Sequence, residues 1–179
     1  TRPEDRKHLL DYVHANKPLV IVMGPPCIAF AALSKINRRK YPDTYAKSRA
    51  VGELLSRLTA TLCHIQHTGG RYWFVENPAK SELFELKEWQ LVERQQTVFK
   101  AEFPQCMLGL TTPDTGEPIH KLTWIWTNSE ALAKPFQNIT CNHSSHGSMV
   151  GSIQVNGKSM YRSKLAQVWP WPMCRMIVE

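Results

Sequence analysis

The sequence predicts an α/β fold: an open, mostly parallel sheet with flanking helices. Three observations carry that expectation. Lys17-Pro-Leu-Val-Ile-Val-Met23 and Arg71-Tyr-Trp-Phe-Val-Glu76 are short, continuous apolar runs, the pattern of strands buried on both faces. Each run is closed by proline, in Gly24-Pro25-Pro26 and in Asn77-Pro78. Between them lies one amphipathic helix, so strand, helix and strand form a right-handed crossover with both strand ends on one edge. Open α/β sheets bind their ligands at that edge.

The remaining elements follow in chain order. Pro3 to Ala15 reads as a helix with Leu9, Leu10 and Val13 on one face. Ser34 to Asp43, with Lys35, Arg38, Arg39, Lys40 and Tyr41, reads as a basic polar loop. Val51, Leu54, Leu55, Leu58, Leu62 and Ile65 recur at helical spacing, and Gly69-Gly70 ends that helix. Ser81 can cap a helix running to Glu93 with Leu83, Leu86 and Trp89 as its stripe. Thr97 to Phe103 and Leu122 to Thr127 read as strands, joined through a turn at Pro113-Asp-Thr-Gly116. Asn128 to Lys158 has little periodicity, and Ser163 to Val168 reads as a short helix before a Trp169-Pro-Trp-Pro172 break. The expected organisation is a core over residues 1–127, a loop-rich insertion over 128–160 and a return to the core over 161–179.

Composition narrows the function classes. Lys and Arg total 22 against 15 acids, a formal charge of +7, which favours an anionic partner such as nucleic acid; a basic but otherwise ordinary surface is the plainer alternative. A hydrophobic content of 42% excludes low-complexity disorder. The longest apolar run, Pro18 to Phe30, is broken by Gly24, Pro25 and Pro26, so no membrane span is expected. Five scattered cysteines and a charged opening segment argue against a secreted disulfide scaffold, and predict a nuclear or cytoplasmic protein. The opening Thr-Arg-Pro-Glu-Asp reads as part of a longer polypeptide.

Cys27 is the sharpest chemical feature. A strand-end cysteine near backbone amides and basic side chains favours the thiolate, the form that attacks electrophilic carbon. The same residue also suits a small apolar packing role. Glu76 closes an apolar strand, where a carboxylate is costly unless paired or used. Cys27 and Glu76 would then face one cleft as nucleophile and acid–base partner. Cys141-Xaa-His143-Xaa-Xaa-His146 offers three metal ligands of the types zinc takes, with Cys106 or Cys174 as a fourth; a polar surface loop is the alternative. Trp124, Trp126, Trp169 and Trp171 suit core packing, with base stacking open to one or two.

The succession of strand, Gly24-Pro25-Pro26-Cys27, basic segment, helix and Gly70-Arg-Tyr-Trp-Phe-Val-Glu76-Asn77-Pro78 resembles the DNA (cytosine-5) methyltransferase family. The likeness is greatest to methyltransferase-like segments of retroelement polyproteins. These share Gln105-Cys-Met-Leu-Gly-Leu110, Lys121-Leu-Thr123 and Cys141-Asn-His-Ser-Ser-His-Gly147. The resemblance implies a Rossmann-like methyltransferase core lacking its first donor-binding strand. It implies that Cys27 attacks C6 of a flipped cytosine while Glu76 holds the N3 and amino edge, and that S-adenosylmethionine gives a methyl group to C5. On that reading Pro26, Lys35, Arg38, Arg39, Asn77 and Lys121 lie on the DNA side, and Gly24, Pro25 and Pro78 border the donor. Ile28 stands where the family has Gln, Pro78 follows a Glu-Asn pair usually followed by Val, and the glycine-rich donor-binding turn is missing. The alternative is a noncatalytic nucleic-acid-binding module of a mobile-element polyprotein with the same fold.

Overall fold

A computed structural model describes residues 2–31, 34–155 and 157–179, with the side chains of Lys35 and Leu165 outside the described set. The chain opens with α1 (Pro3–Asn16), whose N-terminal proline and acidic first turn suit a helix start, and passes to β1 (Val20–Met23). Two helices follow, α2 (Ser34–Lys40) and α3 (Pro42–Thr68). Then come β2 (Tyr72–Pro78), a 3₁₀ turn over Glu82–Glu85, α4 (Lys87–Gln95), β3 (Phe99–Pro104), a 3₁₀ turn over Gln105–Leu108 and β4 (Leu122–Thr127). The chain ends with α5 (Glu130–Ala133), the hairpin β5 (Ser152–Val155) and β6 (Lys158–Tyr161), α6 (Arg162–Leu165) and α7 (Trp171–Val178).

The α/β class is as expected, and the strand directions need one correction. The main sheet has the order β1-β2-β4-β3. β1 and β2 are parallel, with Val20 opposite Tyr72 and Met23 opposite Val75. β4 runs the other way, because its end meets the start of β2. Thr127 donates its hydroxyl to the Trp73 carbonyl at 2.5 Å, and Asn128 brackets the same turn from both sides. The start of β4 meets the end of β3, where Gln105 N–H donates to Lys121 at 2.9 Å. The sheet is therefore mixed rather than mostly parallel.

Other differences are local. Ser34 to Asp43 is not a loop: it holds α2 and the start of α3. Arg38, Arg39 and Lys40 sit in the last turn of α2, where cations complement the helix dipole, and Pro42 starts the next helix. Asn77-Pro78 does not end β2 but belongs to it. β1 stops at Met23, opposite Val75, so on that side Pro78 deprives the ladder of no hydrogen bond. Ser81 caps a 3₁₀ turn by accepting from Leu83 N–H, and the expected helix divides there. Trp171-Pro172 starts α7 rather than breaking the chain, since proline is at home in a helix's first turn.

The chain forms two compact units, residues 1–101 with 124–133 and residues 102–123 with 134–179. The first is centred on Phe30, Cys63, Trp73, Val75, Leu83, Phe84, Trp89 and Trp126. Phe84 stacks on Trp126 at 4.3 Å, and Trp89 meets Phe84 edge-on at 5.1 Å. Two buried indole N–H groups are satisfied, Trp89 by Ser56 and Trp73 by Gln96. Trp126 is thus a core residue, while Trp171 is 74% exposed. The second unit is smaller, with Leu110, Ile119 and Ala166 in one cluster and Phe103 against Phe136 at 4.9 Å. Arg162 holds Asp114 with two hydrogen bonds. No described helix is long and apolar enough to cross a membrane.

Candidate functional site

The parallel register of β1 and β2 sets the first site. Met23 stands opposite Val75, so Gly24 and Glu76 are the next residues along two adjacent strands. The Gly24-Pro25-Pro26-Cys27 loop and the Glu76-Asn77-Pro78 strand end are thereby brought to one edge, as the crossover requires. Glu76 is buried at 5% exposure and Asn77 at 1%. Cys27 is half-buried and lies outside any disulfide.

The loop is held through its carbonyls. Asn77 Nδ2 donates to Pro25 at 2.8 Å, within the interior. Phe30 and Ala31 N–H both donate to the Cys27 carbonyl, at 2.9 and 2.8 Å, giving one tight turn directly after the thiol. Arg49 Nη1 donates to Ala29 at 3.3 Å and forms an ion pair with Glu82 at 2.8 Å. Glu82 N–H in turn donates to Phe30. The Arg49 guanidinium also lies 4.5 Å over the Phe30 ring. Its charge is favoured by Glu53 and Glu82, which raise its pKa against the opposing effect of burial. Sequence reasoning passed over Arg49; the only local signal is its i,i+4 spacing to Glu53.

Of the other expected residues, Pro26 is exposed beside Cys27, and Arg38 and Arg39 are exposed on α2. Lys35 belongs to α2, with its side chain outside the described set. Lys121 is half-buried just before β4, in the second unit. A pocket of about 300 Å³ flanks the loop, lined by Pro26, Ile28, Lys47, Ser48 and Val51. Gly24 is exposed and Pro78 half-buried, so they offer a methyl donor a rim. Pro25 is covered and bonded to Asn77, and offers none. These three residues do not fit a whole S-adenosylmethionine.

The second site is in the other unit. Cys106, Cys141, His143 and His146 place their ligand atoms within 4.8 Å of one another and could hold a metal ion. Cys106, on the 3₁₀ turn after β3, is the fourth member of the group; Cys174 is outside it. Cys141 Sγ lies 3.6 Å from Cys106 Sγ, 3.4 Å from His143 Nδ1 and 3.2 Å from His146 Nε2. Burial, and then the Cys141 thiol beside it, push the Cys106 thiol up to about 11. Desolvation, with His120 and His143 nearby, lowers the His146 pKa.

No protein-family model, no curated protein and no solved structure matches the chain.

Proposed function

We propose that the first unit is a DNA cytosine-5 methyltransferase-like domain whose Cys27 adds to C6 of a cytosine flipped out of the duplex. The observation that carries this reading is the fixed loop. Carbonyls at Pro25, Cys27, Ala29 and Phe30 are all engaged, so the thiol is presented by a backbone that need not reorganise during attack. Glu76, on the adjoining strand end, holds the N3 and amino edge as negative charge moves toward the ring. Thiolate addition forms the S–C6 bond and leaves C5 as the basic carbon. The resemblance assigns the methyl group for C5 to S-adenosylmethionine. The residues present do not fit a whole donor, so what this chain performs is the addition itself.

Two further features support the reading. β1, β2 and β3 lie in sequence order across the sheet, as in one half of a doubly wound fold, with β4 turned back between the last two. Arg38, Arg39 and Lys40 give α2 an exposed cationic end suited to phosphates. A noncatalytic nucleic-acid-binding module is the second reading, favoured by the incomplete donor rim. For the Cys106–His146 cluster the reading is zinc, the ion that suits two sulfurs and two ring nitrogens.

Donor-free hydrogen exchange separates the two readings. With no methyl group present, the C5 carbanion takes a proton from solvent. Loss of a C5 proton and expulsion of the thiolate then return cytosine. Duplex DNA incubated with the protein in heavy water should gain deuterium at cytosine C5, and Cys27→Ser should stop it. Intact DNA binding without exchange would favour the noncatalytic module.

A further inference from the structure

Residues 137–150 form a long irregular stretch with no helix, no strand and not one buried residue. Such a stretch has too little apolar contact to offset the conformational entropy of ordering it. Yet it delivers Cys141, His143 and His146 to one point, against Cys106 from a different part of the chain. Sulfur hydrogen bonds, weak as donors and as acceptors, offer little to offset that ordering: Cys141 Sγ accepts from Cys106 Sγ at 3.6 Å and faces His143 Nδ1 at 3.4 Å and His146 Nε2 at 3.2 Å.

A tetrahedral ion does account for it. Metal–sulfur bonds of about 2.3 Å and metal–nitrogen bonds of about 2.0–2.1 Å give S···S edges near 3.8 Å and S···N edges near 3.6 Å. The three observed edges at Cys141, 3.6, 3.4 and 3.2 Å, are shorter by a few tenths of an ångström, and the other pairs of ligand atoms lie within 4.8 Å. Four protein ligands also fill the tetrahedron and leave no position for water or substrate, the mark of a structural rather than a catalytic site.

Both sides of the cluster are anchored to residues 118–123, the segment that leads into β4. On one side Gln105 N–H donates to Lys121 at 2.9 Å, its side-chain amide donates to Thr123 at 2.9 Å, and Gly109 N–H returns to the Cys106 carbonyl at 3.2 Å. On the other, Gly147, directly after His146, donates its N–H to Pro118 at 2.9 Å. A Cβ on Gly147 would lie 2.5 Å from Thr112 Cγ2 and 3.1 Å from Glu117 Cβ. Only glycine lets the backbone approach that closely, and the approach sets where His146 stands.

We propose that Cys106, Cys141, His143 and His146 form a closed structural zinc site that orders residues 137–150, with Gly147 as its positioning residue. The proposal is independent of the cytosine chemistry and rests on reading the ion as zinc. Metal binding and folding are then one process for this segment, as in small zinc modules.

The test uses the whole chain as purified. Elemental analysis should find one zinc per chain, retained in Cys174→Ser and lost in Cys141→Ser. Alkylation mapped by mass spectrometry should show Cys141 protected until a chelator is added. Cys141 is the informative thiol, because burial alone already protects Cys106. Amide hydrogen exchange over 137–150 should accelerate on chelation and recover when zinc returns. Gly147→Ala, which keeps all four ligands, should weaken zinc binding about tenfold or more, the size seen when a ligand's supporting shell is disturbed. No zinc above the Cys141→Ser level would overturn the metal reading. Stoichiometric zinc with exchange over 137–150 unchanged by its removal would overturn the structural role, and unaltered affinity in Gly147→Ala would overturn the part given to that residue.

Discussion

The side-chain amide of Asn77 donates to the carbonyl of Pro25 across 2.8 Å, so the residue after Glu76 fastens the turn that leads into Cys27. Both groups are buried, and Asn77 Oδ1 has no hydrogen-bond partner among the described residues. One amide therefore couples the two strand ends and leaves an acceptor at their junction. Asn77→Ala should strand the Pro25 carbonyl and cost about 1–3 kcal/mol of stability. Chemical denaturation measures that loss, and faster alkylation of Cys27 in the folded variant would report the loosened turn. A neutral result on both would detach Asn77 from the loop's geometry.

Gly52 offers a test in which two effects oppose. On α3, replacing glycine by alanine ordinarily gains about 1 kcal/mol of helix propensity. Here the new Cβ would lie 2.6 Å from Cε2 of Phe30, a fully buried ring beneath the Arg49 guanidinium. Overpacking of that kind costs about 1–3 kcal/mol, so Gly52→Ala should lower the melting temperature. A rise would mean that the Phe30 turn yields easily and that the loop is softer than its hydrogen bonds imply.

The exposed cations of α2 should act on affinity alone. Neutralising Arg38 and Arg39 together should weaken DNA binding and reduce the slope of log affinity against log salt by about two. Binding titrations at several salt concentrations check this, and an unchanged slope would remove α2 from the interface.

Glu76→Gln replaces the carboxyl group of a residue 5% exposed by an amide of the same shape. Cysteine addition to the base should slow by about 10²- to 10⁴-fold, the usual worth of a positioned acid or base, while the fold survives. Collapse of the melting transition instead would make Glu76 a residue of stability.

The strands nearest the site were legible because Leu19–Met23 and Tyr72–Val75 are continuous apolar runs, although Asn77-Pro78 lies within β2 and does not close it. Their parallel pairing followed from the helix between them. β4 was legible as a strand but not by its place, since local pattern carries no record of which neighbours a returning strand joins. α2 was hidden by its polarity: Arg38, Arg39 and Lys40 look like a loop until the helix dipole and Pro42 are considered. Cys141, His143 and His146 were visible from their spacing. The choice between Cys106 and Cys174 required the fold, which brings the turn after β3 to the cluster. Arg49 escaped notice for the same reason, because Ala29 and Glu82 are distant in sequence.

Attack of Cys27 on a flipped cytosine can be trapped before any methyl transfer. A DNA duplex carrying pyrimidin-2-one in place of the target cytosine presents C6 to the thiolate without the need for a methyl donor. The intact protein mass should rise by the mass of the DNA strand, and the adduct should vanish in Cys27→Ser while noncovalent binding persists. DNA bound with no change in mass would exclude Cys27 as the attacking nucleophile.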